Sequence, residues 1–133
     1  MTAKQPVRIL LVEDDSAIAH VIAIGMRTLG VPYQLDQALS AEEGLELWQA
    51  QPYDLVLTDY NLRGMNGISL INQIHADGIP VSTVLFTAYD SPRVRREAQQ
   101  AHVGAFIAKP FVIEDFIEVA RGMLPLQASA VGS

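Results

Sequence analysis

Val7-Arg8-Ile9-Leu10-Leu11-Val12-Glu13-Asp14-Asp15 is the stretch on which the fold turns. A short, nearly unbroken aliphatic run stops abruptly on three acids, without the apolar–polar alternation of a strand that has one wet face. Such a run suits a strand covered on both sides, and strands of that kind belong to parallel sheets flanked by helices.

Runs of the same type recur outward along the chain, at Tyr33 to Ala38, Asp54 to Thr58, Val81 to Phe86 and Ala105 to Ala108. The Tyr33 run is the weakest, as an edge strand would be. Amphipathic stretches separate them. One helix is predicted from Ser16 to Leu29, with Ile18, Ile22, Gly25 and Leu29 facing the core, Ser16, His20 and Arg27 roughly opposite, and Ala17, Val21 and Ile24 as an apolar flank. Gly30 and Pro32 stop it. Ser40 with Glu43 makes a capping-box pattern ahead of Ala41, Leu45 and Trp48. Ser91-Pro92 supplies an N-cap and a first-position proline for a fourth helix. A last helix spans Val112 to Leu124, with Ile113, Phe116, Ile117 and Ala120 inward and Glu114, Asp115, Glu118 and Arg121 in water.

The expected architecture is α/β, a doubly wound (βα)5 domain around a five-stranded parallel sheet. It occupies residues 7–124, between an N-terminal extension at 1–6 and a C-terminal tail or linker start at 125–133. A chain of 133 residues, half of them apolar and 18% charged, is long and apolar enough to bury a core and too apolar for a disordered segment. With no cysteine, disulfide frameworks, thiol nucleophiles and cysteine-bound metals are excluded. A formal net charge of −6 argues against direct contact with nucleic acid or anionic lipid. Met1 to Pro6 lacks the apolar core of a signal peptide and no run is long enough to cross a bilayer, so a cytoplasmic location is expected.

Open parallel sheets bind ligands beyond the carboxyl ends of their strands. There the sequence sets Glu13, Asp14 and Asp15, then Asp59, then Thr87, then Lys109-Pro110. Taken singly, each is an ordinary strand-end or capping residue, and Asp15 and Ser16 are best read as the cap of the first helix. Their joint placement is what points to chemistry. Carboxylates crowded together at neutral pH call for a cation or a proton, and an all-oxygen donor set suits a hard ion such as Mg²⁺ that shares phosphate oxygens.

The segments Ile9-Leu10-Leu11-Val12-Glu13-Asp14-Asp15, Asp54-Leu55-Val56-Leu57-Thr58-Asp59 with Gly64-Met65-Asn66-Gly67, Thr87-Ala88 and Lys109-Pro110-Phe111 together resemble the receiver domains of two-component signalling, the CheY-like superfamily. The likeness covers residues 7 to about 124. It implies the flavodoxin-like strand order 2-1-3-4-5 and a phosphoacceptor role for Asp59. Asp14 then corresponds to the direct metal ligand, Glu13 to the second acid, and Asn61 to the residue whose backbone carbonyl completes a Mg²⁺ site that Mn²⁺ would also fill. Lys109 corresponds to the lysine that pairs with phosphoryl oxygens, Thr87 to the hydroxyl that closes on them, and Phe106 to the switch position. Asn61 and Tyr89 match the positions that tune phosphoryl lifetime. The implied partners are a sensor histidine kinase or phosphotransfer protein, and an effector or second copy on the surface of the fourth helix, fifth strand and fifth helix. A domain of this kind is a signalling module that catalyses only its own phosphorylation and dephosphorylation.

Three positions depart from the pattern. Arg63 and Asn66 replace residues that are often proline and aspartate, which suggests a looser loop after Asp59, and Phe106 has no hydroxyl where tyrosine is common. Phe106 as a plain core aromatic stays an open alternative. Arg93, Arg95 and Arg96 read as a solvated helix face, and His20, His75 and His102 receive no role. A haloacid-dehalogenase-type phosphatase is disfavoured because Asn61 stands where that family needs its general acid. A flavodoxin-like electron carrier is disfavoured because no phosphate loop follows the first run.

Overall fold

A computed structural model of the chain describes residues 5–125. Its strands are β1 (Val7–Val12), β2 (Tyr33–Ala38), β3 (Leu55–Asp59), β4 (Ser82–Thr87) and β5 (Ala105–Ala108). Its helices are α1 (Ser16–Gly25), α2 (Ala41–Ala50), α3 (Gly67–His75), α4 (Pro92–Gln100) and α5 (Ile113–Gly122). All strand pairs are parallel and the order is β2-β1-β3-β4-β5, so the weak second run does lie at an edge.

Strand side chains alternate between two buried faces, which is why the runs are apolar throughout. Ile9, Leu11, Leu55, Leu57, Val84 and Phe86 meet α1 and α5 on one side. Leu10, Val12 and Val56 meet α2 and α3 on the other, and Leu85 meets α3 and α4. Phe86 and Phe116 pack edge to face across the first of these layers, 5.3 Å between centroids.

Local capping follows the sequence, with informative differences. Asp15 accepts from the backbone N–H of Ala17 and Ile18, and Ser91 from that of Val94, with Pro92 opening α4. Ser40 accepts from the Glu43 N–H at 3.1 Å, but the Glu43 carboxylate takes the Leu39 N–H, so the reciprocal half of the box is displaced by one residue. Asn66, expected to loosen its loop, is the N-cap of α3 and accepts the Ser69 N–H at 2.9 Å.

The first helix is shorter than its periodicity predicts. After Gly25 the chain tightens into a 3₁₀ turn at Met26–Thr28, where the Thr28 hydroxyl donates to the Gly25 carbonyl. Arg121, expected to face water, reaches across from α5 and donates to the carbonyls of Thr28 and Leu29 at 2.8 and 3.0 Å. A guanidinium satisfies carbonyls left open where the helix stops.

Strands β3 and β4 each sit one residue further along than expected. Asp54 falls just outside β3, with its carboxylate taking the Arg8 N–H, while Asp59 and Thr87 join as the last residues of β3 and β4. Of the flanking segments expected at 1–6 and 125–133, residues 1–4 and 126–133 lie outside the described ones. Among the described residues, no helix is long and apolar enough to cross a membrane.

Candidate functional site

Because the strands are parallel and adjacent, their carboxyl ends deliver side chains to one crevice from distant parts of the chain. Glu13 and Asp14 follow β1, Asp59 ends β3, Thr87 ends β4 and Lys109 follows β5. Carboxylate oxygens of Glu13, Asp14 and Asp59 all lie within 4.8 Å of one another. Glu13 and Asp59 are buried and Asp14 is half-buried.

One ammonium answers these three acids. Lys109 Nζ donates to Asp59 Oδ2 at 3.0 Å and to Glu13 Oε1 at 3.1 Å. The other Asp59 oxygen, Oδ1, accepts the Asn61 N–H at 3.3 Å, so both oxygens of that carboxylate have partners. Burial opposes the charge on Lys109, but hydrogen bonds and charges from Asp59 and Glu13 outweigh it and hold the ammonium above the ordinary lysine value.

Glu13 bears the excess. Burial, and then the neighbouring Asp59 charge, push its carboxyl up to about 7, against the Asp15 N–H and Lys109, which pull it down. Without a cation, folded Glu13 therefore keeps a proton that the unfolded chain releases at its ordinary value of 4.5. Between those two values the folded state binds more protons, so stability falls as pH rises through the window. Urea unfolding in chelator from pH 5 to 8 should show this decline, and Glu13→Gln should flatten it. A stability that rises with pH over the same range would contradict the assignment.

The acid cluster suits a hard divalent ion, since its donors are carboxylates alone, no histidine or cysteine stands among them, and two of the three are held in a buried crevice. Asp15, the remaining strand-end acid, is occupied in capping α1. Thr87 is fully buried, and its hydroxyl oxygen accepts the Tyr89 N–H at 2.9 Å, which ties the start of the β4–α4 loop to the strand end. Asn61 is exposed and Tyr89 is 56% exposed.

Phe106 does not line the crevice. Its ring is half-buried beside α4, packed on the layer of Ile68, Leu85, Val94 and Ala98, so it is neither a fully enclosed core aromatic nor free in water. Arg95 is exposed, as a solvated helix face would have it, and its Cζ also lies 4.5 Å from the centre of the Phe106 ring.

One residue that shapes the site received no role in the sequence. At Gly67, the first residue of α3, a Cβ would overlap the backbone carbonyl oxygen of Asp59. A glycine opening a helix behind an asparagine cap, where helix propensity disfavours it, was the available signal.

Five parallel strands in the order 2-1-3-4-5 with five helices, an acid cluster and one lysine at the strand ends define the flavodoxin-like CheY class of α/β domains. The family model for the response regulator receiver domain matches residues 9–121, and the chain belongs to that family, the receiver domains of two-component signalling. It is 32% identical over 125 residues to the transcriptional regulatory protein QseB of Escherichia coli O157:H7, covering 94% of this chain and 55% of that protein. To the response regulator MprA of Mycolicibacterium vanbaalenii it is 28% identical over 119 residues, covering 90% and 51%. The crystal structure of a CheY-like response regulator receiver domain protein from Methanospirillum hungatei JF-1 matches with a TM-score of 0.85 at 28% identity, over 95% of this chain and 99% of that one. The chain thus spans about half the length of the curated relatives it matches.

Proposed function

We propose that residues 7–124 form a phosphoacceptor that takes a phosphoryl group onto Asp59 from a phosphohistidine of a sensor kinase or phosphotransfer protein. The observation that carries this reading is the placement of Asp59, one oxygen on the Lys109 ammonium and the other on a backbone N–H, beside two further acids. Glu13, Asp14 and Asp59, with the Asn61 carbonyl, would hold Mg²⁺ or Mn²⁺, which supplies charge neutralisation for the phosphoryl oxygens. An Asp59 oxygen bonds to phosphorus as the phosphorus–nitrogen bond breaks and the imidazole departs. Lys109 turns its ammonium from the carboxylates to the incoming phosphoryl oxygens, and the Thr87 hydroxyl closes on them. Asn61 and Tyr89 stand where water would approach for hydrolysis.

Incubation with acetyl phosphate should add one phosphoryl group per chain, read by intact mass, and a chelator should prevent it. Labelling indifferent to chelation, or continuous turnover of a small phosphate ester, would overturn the reading. It implies a cytoplasmic domain whose α4–β5–α5 surface passes the signal to an effector or a second copy.

Donor docking is supported by an apolar groove of about 440 Å³ beside Lys109, lined by Ala17, Ile18, Val21, Pro110 and Phe111. Val21 on its α1 side is 52% exposed, and Ile24, three residues further along α1, is 45% exposed, as an apolar flank outside the core stripe would be. Val21→Glu should slow phosphoryl transfer from the partner protein about tenfold, the scale expected when a charge replaces an apolar side chain that the partner covers, while leaving acetyl phosphate labelling near normal. Equal loss of both would mean that Val21 serves folding instead.

A further inference from the structure

Phe106 and the loop that leaves the Thr87 end of β4 are joined by a polar chain that the phosphoryl site does not itself require. Phe106 pairs with Leu85 across β4 and β5, which turns its ring to the α4 side of the sheet. On that side the ring has apolar neighbours and one cation, the Arg95 guanidinium.

Arg95 is not held there by the ring alone. Its Nε and Nη2 donate to the two carboxylate oxygens of Asp90 at 2.5 and 2.9 Å, a two-point bond that fixes the plane of the guanidinium. Arg93 pairs instead with Glu97 along the helix, so of these two arginines only Arg95 links α4 to the loop. Asp90 in turn follows Tyr89, whose N–H rests on the Thr87 hydroxyl. A single short loop segment, Thr87 to Asp90, therefore joins the hydroxyl at the site to the carboxylate that aims the guanidinium at Phe106.

We propose that Arg95, fixed by Asp90, is a latch that holds Phe106 in its half-exposed place in the resting domain and lets go when Thr87 is drawn toward the site and carries Tyr89 and Asp90 with it. This rests on the receiver function above, in which Thr87 moves on phosphorylation. A phenylalanine has no hydroxyl with which to hold one orientation by a hydrogen bond, and the cation above its ring supplies the missing preference. At an exposed site such a contact biases a two-state equilibrium by roughly two- to fivefold. The latch is thus a modest restraint that phosphorylation overcomes. Linkage makes it visible at a distance, because a ligand that favours the released state binds more tightly once the restraint is gone.

The test uses the full chain with ¹³C-labelled phenylalanine rings, the Phe106 signal being assigned with Phe106→Leu, and beryllofluoride with Mg²⁺ as the phosphoryl mimic. In Arg95→Ala the resting Phe106 signal should move toward its beryllofluoride-bound position, and beryllofluoride should bind roughly two- to fivefold more tightly than in wild type. Asp90→Asn, which leaves the ring's own contacts in place, should shift both in the same direction by less. Arg95→Lys should restore part of the wild-type behaviour. Thermal unfolding of each variant checks that the fold is intact. Unchanged beryllofluoride affinity in both Arg95→Ala and Asp90→Asn overturns the latch while the receiver function stands. If wild-type amides at Asn61 and Lys109 do not respond to beryllofluoride at all, the receiver function fails and the latch fails with it.

Discussion

Asp59→Asn will reduce labelling by acetyl phosphate to background while leaving the domain folded. The amide keeps the shape of the side chain and a carbonyl oxygen for the Lys109 ammonium, which now stands 3.0 Å from Asp59 Oδ2. What disappears is the anionic oxygen that must bond to phosphorus. Glu13 is held in a similar way, between the Lys109 ammonium and the Asp15 N–H, so the loss of labelling in this variant is what assigns the acceptor to Asp59 at the end of β3. Folding should survive because Lys109 keeps its second partner, Glu13, at 3.1 Å. Removal of one of three crowded carboxylates also relieves repulsion. The substitution carries its own internal check: the Asp59 charge is the second cause of the raised Glu13 carboxyl, so that value should move down from about 7. Intact mass after acetyl phosphate and the pH profile of unfolding in chelator measure the two effects. A phosphoryl group that still appears in Asp59→Asn would remove Asp59 from its role.

Gly67→Ala will destabilise the domain and slow labelling together. The added methyl would overlap the Asp59 carbonyl oxygen, lie 3.0 Å from the carbonyl carbon and touch Leu85 Cδ1 at 3.1 Å. Backbone atoms of a buried strand cannot turn aside as a flexible side chain can. Either α3 lifts from the sheet, weakening the 2.8 Å bond from the Gly67 N–H to the Tyr60 carbonyl, or the end of β3 twists and takes Asp59 with it. Overpacking of this kind costs about 1–3 kcal/mol, and the better helix propensity of alanine returns up to about 1 kcal/mol. Misplacing the acceptor by a fraction of an ångström should slow labelling by about tenfold or more. Gly122→Ala is the control, since nothing lies within 4 Å of a Cβ there, at the end of α5. It should be neutral or stabilising. Equal behaviour of the two variants would show that α3 is free to shift and that the approach of Gly67 to Asp59 is not needed.

The two effects differ in how far they were legible beforehand. Asp59 was visible as an acid closing an apolar run, and the resemblance gave it a role. Gly67 was visible only as part of a quoted motif, because its importance lies in what a helix start touches on a neighbouring strand, and no spacing along the chain states that distance. Arg95 is a third kind of case. Three arginines on a polar helix read as a solvated face, and the one that lies over Phe106 does so because β5 brings that ring beside α4.

By itself the sequence determined the alternation of buried strands and amphipathic helices, most of the helix caps at Asp15, Ser40 and Ser91, and the acids, hydroxyl and lysine at the strand ends. These are local properties: apolar periodicity, capping oxygens within three residues, and runs that stop on polar groups. The tertiary structure alone decided that Lys109 bridges Glu13, 96 positions away, and Asp59, 50 positions away. It also decided that burial and the Asp59 charge raise the Glu13 carboxyl, that Arg121 closes the end of the first helix, and that Arg95 rests on Phe106. Each of those depends on the register of parallel strands and on how deeply a charge is removed from water, quantities that exist only once distant segments share one sheet.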